Sequence, residues 1–384
     1  MGKFVLVCLL VIPWIICPLE NITDAFRSPK EMFFDMMCLG MIILALKDGI
    51  PSKYRNKFLA LLAAWVGITV FFNWHAKIVL SFKGNVIVNF WTLTFTLHFF
   101  LGLAATIIAI ASLRKADFER IAKALCLSSV IVTLWGTMQT LGFDPLGKLV
   151  VRYCSGAGDR FYACMDNPNI VGNYLALCLP FFLCFLDKWK FRAGGIIVLL
   201  GLLLTKAFGA MVCGIFGIWL FLLLSYRGNK KIRNALCVAM VGMVVIAGSV
   251  LAMKLDSGLS NRLPVWKMTM EHLRDNPLYG QGLGIFQTWN IDYPAGTRWL
   301  TAHNDWLERT CEIGVLGIIL FLLVIVNSFR NFDYSVKNRF GIAYCASFCV
   351  FLLLMGGSFV METAETALLG LVGFWAMETY TRKK

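Results

Sequence analysis

Apolar runs of about 15–25 residues recur along the whole chain, the length that crosses a bilayer. Twelve are read: roughly 3–19, 32–46, 58–74, 86–112, 121–141, 169–186, 192–205, 207–226, 233–253, 304–328, 340–358 and 363–380. The stretch from Ala193 to Tyr226 is broken only at Thr205-Lys206. It is too long for one crossing helix, so the pattern predicts two short helices joined by a tight turn. The chain therefore reads as an all-α, polytopic membrane helix bundle with about 12 transmembrane helices. Residues 1–384 form one integral membrane domain, with no internal repeat and no low-complexity segment.

The polar intervals set the orientation. With both termini in the cytoplasm, 22 of the 36 Lys and Arg residues fall on the cytoplasmic side, in the shorter loops. That bias agrees with an even helix number. Two longer loops then lie on the outer side, 142–168 and 254–303, and the second carries an amphipathic helix. Long polar loops on one face point to chemistry on that face.

Composition supports the membrane reading: 59% of the 384 residues are hydrophobic and 15% are charged, against about 25% charged in a soluble domain. The net charge of +14 does not indicate nucleic acid, because the basic residues lie in short loops and form no continuous strip. Of the 13 cysteines, all but Cys154 and Cys164 fall in or beside apolar runs, where Cys is a small hydrophobe. The loop holding Cys154 and Cys164 faces an oxidising compartment in this orientation, which admits a disulfide between them. No Cys or His spacing points to zinc. The N-terminus lacks a small-x-small cleavage site and is read as the first membrane helix.

Candidate chemistry centres on Thr301 to Gly317, T-A-H-N-D-W-L-E-R-T-C-E-I-G-V-L-G. His303 and Asn304 stand where a polar loop becomes a membrane helix. The helix starts at Asn304 or Asp305, leaving the His just outside. Asp305, Glu308, Arg309 and Glu312 then share a stripe about 100° wide, and intramembrane charges face a bundle interior or a wet cavity. Asp305 and Arg309 have the favourable i,i+4 order for an ion pair. Gly314 and Gly317, one turn apart, permit a close helix–helix approach.

This stretch resembles the signature of the O-antigen ligase and polymerase superfamily: His, Asn/Ser/Arg, nine residues, Gly, two residues, Gly/Thr/Tyr. His303, Asn304, Gly314 and Gly317 meet it at every fixed position. The resemblance extends over roughly 150–330. Arg160 stands seven residues before Asn167-Pro168-Asn169, as an Arg often does in that family, and Arg262 and Trp266 match its Arg and Trp four residues apart. Arg152 is a weaker match. Relatives look like Leu-Thr-x-Ser-Arg-Gly-Ala near Thr205. Here Ala207 and Phe208 replace the Ser and Arg, leaving Lys206 as the cation nearby. Lys is no equivalent of a bidentate Arg clamp.

Val265, Met268, Thr269 and His272 share one face of a helix that begins near Ser260 or Asn261 and ends at Asn276-Pro277. Trp266 would then sit at headgroup level. Gly280, Gly282 and Gly284 read as a flexible turn, since no strand precedes them. Tyr279, Phe286, Trp289, Tyr293 and Trp299 suit either a membrane belt or sugar stacking. His75, His98 and His272 read as structural or interfacial. Glu20 and Asp24 lack a second acid at a convincing spacing for a metal.

The resemblance implies a metal-independent, inverting glycan transfer needing no cofactor. The donor would be an undecaprenyl-diphosphate-linked glycan on the periplasmic side of a bacterial inner membrane, and the acceptor lipid A-core. A polymerase acting on another repeat unit is close behind, then protein glycosylation. Arg160, Arg262 and Lys206 would hold the diphosphate. His303 would be the general base for the acceptor hydroxyl, oriented by the acidic stripe. The rival from another class is a lipid-linked glycan transporter. It predicts broken helices in two matching halves, and the sequence shows one break, near Thr205, without a counterpart.

Overall fold

The computed structural model describes residues 1–16, 27–49, 57–74, 88–144, 160, 162–165, 167–254, 262–288, 301–335 and 337–381. Each of the twelve apolar runs carries an α-helix: α1 (Gly2–Val11), α2 (Arg27–Asp48), α3 (Lys57–Trp74), α4 (Val88–Ser112), α5 (Lys115–Thr140), α6 (Pro168–Phe182), α7 (Trp189–Leu204), α8 (Phe208–Ser225), α9 (Lys230–Lys254), α11 (Asp305–Asn331), α12 (Arg339–Leu354) and α13 (Ala364–Thr379). The amphipathic helix α10 (Leu263–Asp275) lies between α9 and α11. Among the described residues the only β pairing is an isolated bridge from Phe332 to Thr381.

Five helical stretches among the described residues are long and apolar enough to cross a membrane: Thr94–Ser112, Lys115–Thr140, Pro168–Phe185, Phe208–Ser225 and Asp305–Asn331. Others are apolar but shorter, such as Arg339–Leu354, whose 16 residues rise only about 24 Å. The chain is thus an all-helical, multi-pass membrane protein.

The Ala193–Tyr226 stretch divides where expected. Lys206 takes a left-handed conformation, φ 53°, which ends α7. Thr205 Oγ1 staples the turn, donating to Leu202 O at 2.7 Å and accepting from Ala207 N at 3.2 Å. This turn packs on α6 through Gly172, where a Cβ would come within 2.7 Å of Ala207 Cβ and 3.1 Å of Thr205 Oγ1.

The centre of the bundle is α6, α12 and α13, with α8 laid against it through its small residues Ala210, Gly214 and Gly217. In α6 nearly every residue is buried, as a helix that is apolar all round must be. Tyr174 and Ser347 spend their hydroxyls inside it, on Ser128 Oγ and Leu177 O.

The two ends of the bundle differ. At one, Tyr344 Oη donates to Phe118 O, Tyr380 Oη to Lys115 O, and Arg339 Nη2 to Leu183 O. The basic residues Arg114, Lys115, Lys188 and Arg339 collect there. At the other end α2, α6, α8, α10, α11 and α13 are among the helices that begin, so several helix N-termini, each with a partial positive charge, lie at the end that carries His303.

Two expectations about this second end change. Helix α11 is not continuous over 304–328: Gly314 has φ 71° and ψ 173° and interrupts it. Gly314 therefore serves a backbone break and not helix packing. A Cβ there would fall 2.1 Å from Leu278 O. Nor is the glycine-rich segment a loose turn. Gln281 N and Gly282 N donate to the carbonyls of Cys311 and Glu312, at 2.8 and 2.9 Å, and Val315 N donates to Pro277 O at 2.9 Å. Trp65 Nε1 takes the Ile313 carbonyl at 2.9 Å. The break frees backbone groups that must be paired inside a membrane protein, and this loop pairs them. Gly317 faces the Ile313 side chain of its own helix.

Candidate active site

The loop before α11 positions His303. Asn304 caps the helix, its Oδ1 accepting from Leu307 N at 3.1 Å. His303 itself is left-handed, φ 51°, a strained conformation for a non-glycine residue that His, Asn and Asp tolerate best. The backbone on both sides is pinned. Ala302 N donates to Glu308 Oε2 at 2.8 Å, Ala302 O accepts from Trp266 Nε1 at 2.9 Å, and Asp305 N donates to Met355 O at 2.8 Å. Strain that the surroundings over-determine in this way is a mark of functional sites.

Trp266 therefore anchors α10 to the residue before His303, where a headgroup position was expected. Asn276 ends α10 as expected, but the helix starts later than Ser260 or Asn261, with Arg262 at the N-cap and Pro264 in the first turn. Arg262 Nη1 donates to Gly357 O at 2.8 Å.

Gly357 belongs to the turn between α12 and α13, residues 355–363, which sequence reading missed. Ser358 Oγ accepts from Asn173 Nδ2 at 2.8 Å. Phe359 meets the His303 ring edge-on, with centroids 4.9 Å apart at 86°. Met361 N donates to Asp305 Oδ2 at 2.9 Å, and Glu362 Oε1 meets Arg309 Nη2 at 3.0 Å.

Through Asn173 this turn reaches the cap of α6. Asn167 Oδ1 accepts from Asn169 N at 2.8 Å, and Asn169 Oδ1 accepts from Arg160 Nη1 at 3.4 Å. Asn169 and Asn173 lie on one face of α6, so Arg160 stands above the residue that holds Ser358. Lys206, exposed, sits on the adjoining α7–α8 turn. The structure thus gathers Arg160, Lys206, Arg262, Trp266, His303, Asn304 and Asn169 at one end of the bundle.

The charged stripe is buried as expected, but its pairing differs. Arg309 does not form its ion pair with Asp305. Its Nη1 lies 2.5 Å from Glu312 Oε2, and its Nη2 lies 3.3 Å from Glu308 Oε1 and 3.0 Å from Glu362 Oε1. The acids grip backbone: Glu308 holds Ala302 N, and Glu312 Oε1 accepts from Gly284 N at 2.6 Å. The stripe fixes the loops around the imidazole. Below it, Arg309 and Glu362 border a cavity of about 290 Å³ with Phe34, Phe99, Phe321 and Phe374 in its wall.

A second buried pair escaped sequence reading. Lys30 Nζ meets Glu365 Oε1 at 3.1 Å and donates to Cys164 O at 2.8 Å, tying α2 and α13 to the segment before α6. Cys164 is buried. Cys154, Arg152, Glu20, Asp24, His75, Ser260, Asn261, Trp289, Tyr293 and Trp299 lie outside the described residues. Among the described residues no group of three His, Cys, Asp or Glu side chains is arranged to hold a metal ion. His98 Nδ1 lies 2.6 Å from Asp35 Oδ1, joining α4 to α2.

Electrostatics keep His303 in the unprotonated form that a general base must have. Burial pushes its pKa down to about 4, Arg262 nearby pushes the same way, and Glu362 opposes them. The imidazole is therefore neutral at pH 7. Burial lowers the Arg262 pKa too, but a guanidinium stays cationic at any physiological pH.

Comparison with known proteins bears on this region. Residues 193–322 match the family model described as O-Antigen ligase, a segment that includes Lys206, Arg262 and the His303–Gly317 signature. Over 255 residues the chain is 25% identical to the Exopolysaccharide production protein ExoQ of Rhizobium meliloti (strain 1021), covering 59% of this chain and 57% of the relative. The chain thus spans a little over half the length of that curated relative. No solved structure matches.

Proposed function

We propose, for a chain whose residues 193–322 match the O-Antigen ligase family model, that it moves a glycan en bloc from undecaprenyl diphosphate to a sugar hydroxyl of lipid A-core. The reaction takes place at the periplasmic face of a bacterial inner membrane. The observation that carries the reading is His303: neutral, strained, pinned on both sides and set beside Arg262.

In this reading the acceptor hydroxyl attacks the anomeric carbon, and His303 takes its proton. The bond from that carbon to the diphosphate oxygen breaks, and the electron pair leaves with the diphosphate. Attack from the face opposite the leaving group inverts the configuration. Arg262, Arg160 and Lys206 hold the departing charge, helped by the helix N-termini at this end. A diphosphate leaves without a strong acid, and the lipid donor carries the activation, so neither a metal nor a nucleotide is required. The name of the similar protein, which concerns exopolysaccharide, favours a second reading with the same chemistry: polymerase-type transfer to another repeat unit.

Purified protein with a synthetic undecaprenyl-diphosphate glycan tests both, with EDTA present and lipid A-core, a second repeat unit or a peptide as acceptor. Product on one acceptor, lowered at least about a hundredfold in His303→Ala, is expected, since general-base catalysis contributes that much or more. Flipping of the lipid in proteoliposomes without any transfer would replace the transferase reading with a transporter.

A further inference from the structure

Three connecting segments frame His303, irregular apart from a single 3-10 turn at Ile285–Thr288. Residues 301–304 carry the imidazole. The 277–288 segment links the end of α10 to the break in α11. The turn at 355–363 meets Arg262, Asn173, His303 and Asp305. Each is gripped by a buried carboxylate or contributes one. Glu308 Oε2 holds Ala302 N, Glu312 Oε1 holds Gly284 N, and Glu362 belongs to the 355–363 turn. All three carboxylates converge on one guanidinium: Arg309 Nη1 faces Glu312, and Nη2 faces both Glu308 and Glu362.

We infer that Arg309 is the positioning residue of the His303 site, joining these three segments through its three carboxylates without touching donor or acceptor. The inference rests on the glycan-transfer reading of that site. A guanidinium has the shape the task requires. Its two terminal nitrogens lie in one plane and can serve three carboxylates at fixed angles, whereas an ammonium presents a single centre on a flexible stem. Burial adds to the effect. The Glu308, Glu312 and Glu362 side chains are 1–2% exposed, and that of Arg309 is 12% exposed. At that depth, beside an apolar cavity, a displaced carboxylate has no water to turn to, and a buried pair that loses a partner is strongly destabilised. The segments therefore have one stable arrangement, and it places His303 against Phe359 with Arg262 on Gly357 O.

Arg309→Lys tests this, because it keeps the buried positive charge and removes the fork. Two measurements are made. The first is steady-state transfer from the lipid diphosphate donor. The donor kcat/KM is expected to fall about a hundredfold, the cost of displacing reacting groups by about 1 Å. Glu362→Gln, which keeps an oxygen for Arg309 Nη2, should lose far less. The second is histidine-labelled NMR of the purified protein, feasible with four histidines in the chain, and it needs neither substrate. In Arg309→Lys the His303 titration should move up from about 4, as the loop loosens and water reaches the ring.

Wild-type transfer rates in Arg309→Lys, or an unmoved His303 titration in the folded variant, would overturn the inference. If wild-type protein transfers nothing, the function reading falls, and the titration still decides the role of Arg309. If Arg309→Lys does not fold, Glu362→Ala gives the decision. Glu362 itself raises the His303 pKa, so its removal alone would move the titration down. An upward move then supports the clamp, and a downward move or no move overturns it.

Discussion

Replacing Arg262 by Gln separates the two causes that keep His303 neutral. In the folded protein the imidazole pKa falls from the ordinary 6.5 to about 4, a difference of about 3 kcal/mol at 1.36 kcal/mol per unit. Burial is the larger cause and Arg262 the second. Removing the guanidinium leaves burial in place, so the pKa should rise by about one unit and stop short of 6.5. The sign for catalysis follows. A general base must be unprotonated, so kcat/KM should be flat near neutral pH and fall tenfold per unit below the His303 pKa. In Arg262→Gln that acid limb should start about one unit higher.

The limb in kcat supplies an internal control. Bound diphosphate places negative charge against Arg262 and raises the His303 pKa in the complex, so the wild-type kcat limb should lie above the kcat/KM limb. The gap should narrow in Arg262→Gln, where no guanidinium remains to be neutralised. Both limbs can be read from pH–rate profiles between about pH 3.5 and 8, with histidine NMR as an independent measure of the free protein. An Arg262→Gln limb that stays at the wild-type pH, or moves down, would refute this electrostatic account of the site.

Gly314→Ala would force an alanine into a backbone conformation open essentially only to glycine, φ 71° and ψ 173°, at about 1–3 kcal/mol. It would also drive Leu278 O out of contact, with further loss of hydrogen bonds worth about 1 kcal/mol each. The melting temperature in detergent should drop by several degrees, and an unchanged value would refute the clamped-loop reading. For stability, His303 binds a proton below about 4 when folded and below about 6.5 when unfolded. The unfolded state then holds more protons between those values, so stability rises with pH across that window. His303→Gln should flatten the slope by up to about 3 kcal/mol, measurable as a smaller difference in thermal unfolding between pH 4.5 and 7.

The sequence disclosed what depends on neighbours in the chain. Long apolar runs mark helices whatever they pack against. Thr205-Lys206 is the only polar interruption in its stretch, so the α7–α8 turn was legible. Asn304 caps α11 because an Asn before a periodic helix does so locally. Contacts across long separations were not legible. Gly314 reads equally well as a packing glycine, and only Leu278 and Gly280, more than thirty residues earlier, show that it is a break. Residues 355–358 and 363 of the 355–363 turn read as the ends of two apolar runs, and between them Phe359, Val360 and Met361 leave Glu362 as the only polar residue to mark a loop. Glu362 lies 53 positions from Arg309, and Lys30 lies 335 from Glu365. No periodicity links such pairs.

The spacing from His303 to Gly314 acquires a physical meaning from α10. That helix runs beside the first turns of α11. Trp266 Nε1 donates to Ala302 O near its start, Cys311 Sγ donates to Thr269 O at 3.6 Å midway, and Gln281 N donates to Cys311 O past its end. Thirteen helical residues span about 20 Å, and the rise of α11 from Asn304 to Gly314 is about 15 Å. The turn at 276–280 returns the chain to the break. Gly314 is therefore where the far end of α10 docks, and His303 stands near the end that carries Arg262. A residue inserted between them would turn the break by about 100° around α11, away from the loop that fills it. Gly280 and Gly314 could no longer meet, and Arg262 would lose its place beside the imidazole. The nine residues between Asn304 and Gly314 set the distance and the angle at which a cation meets the base.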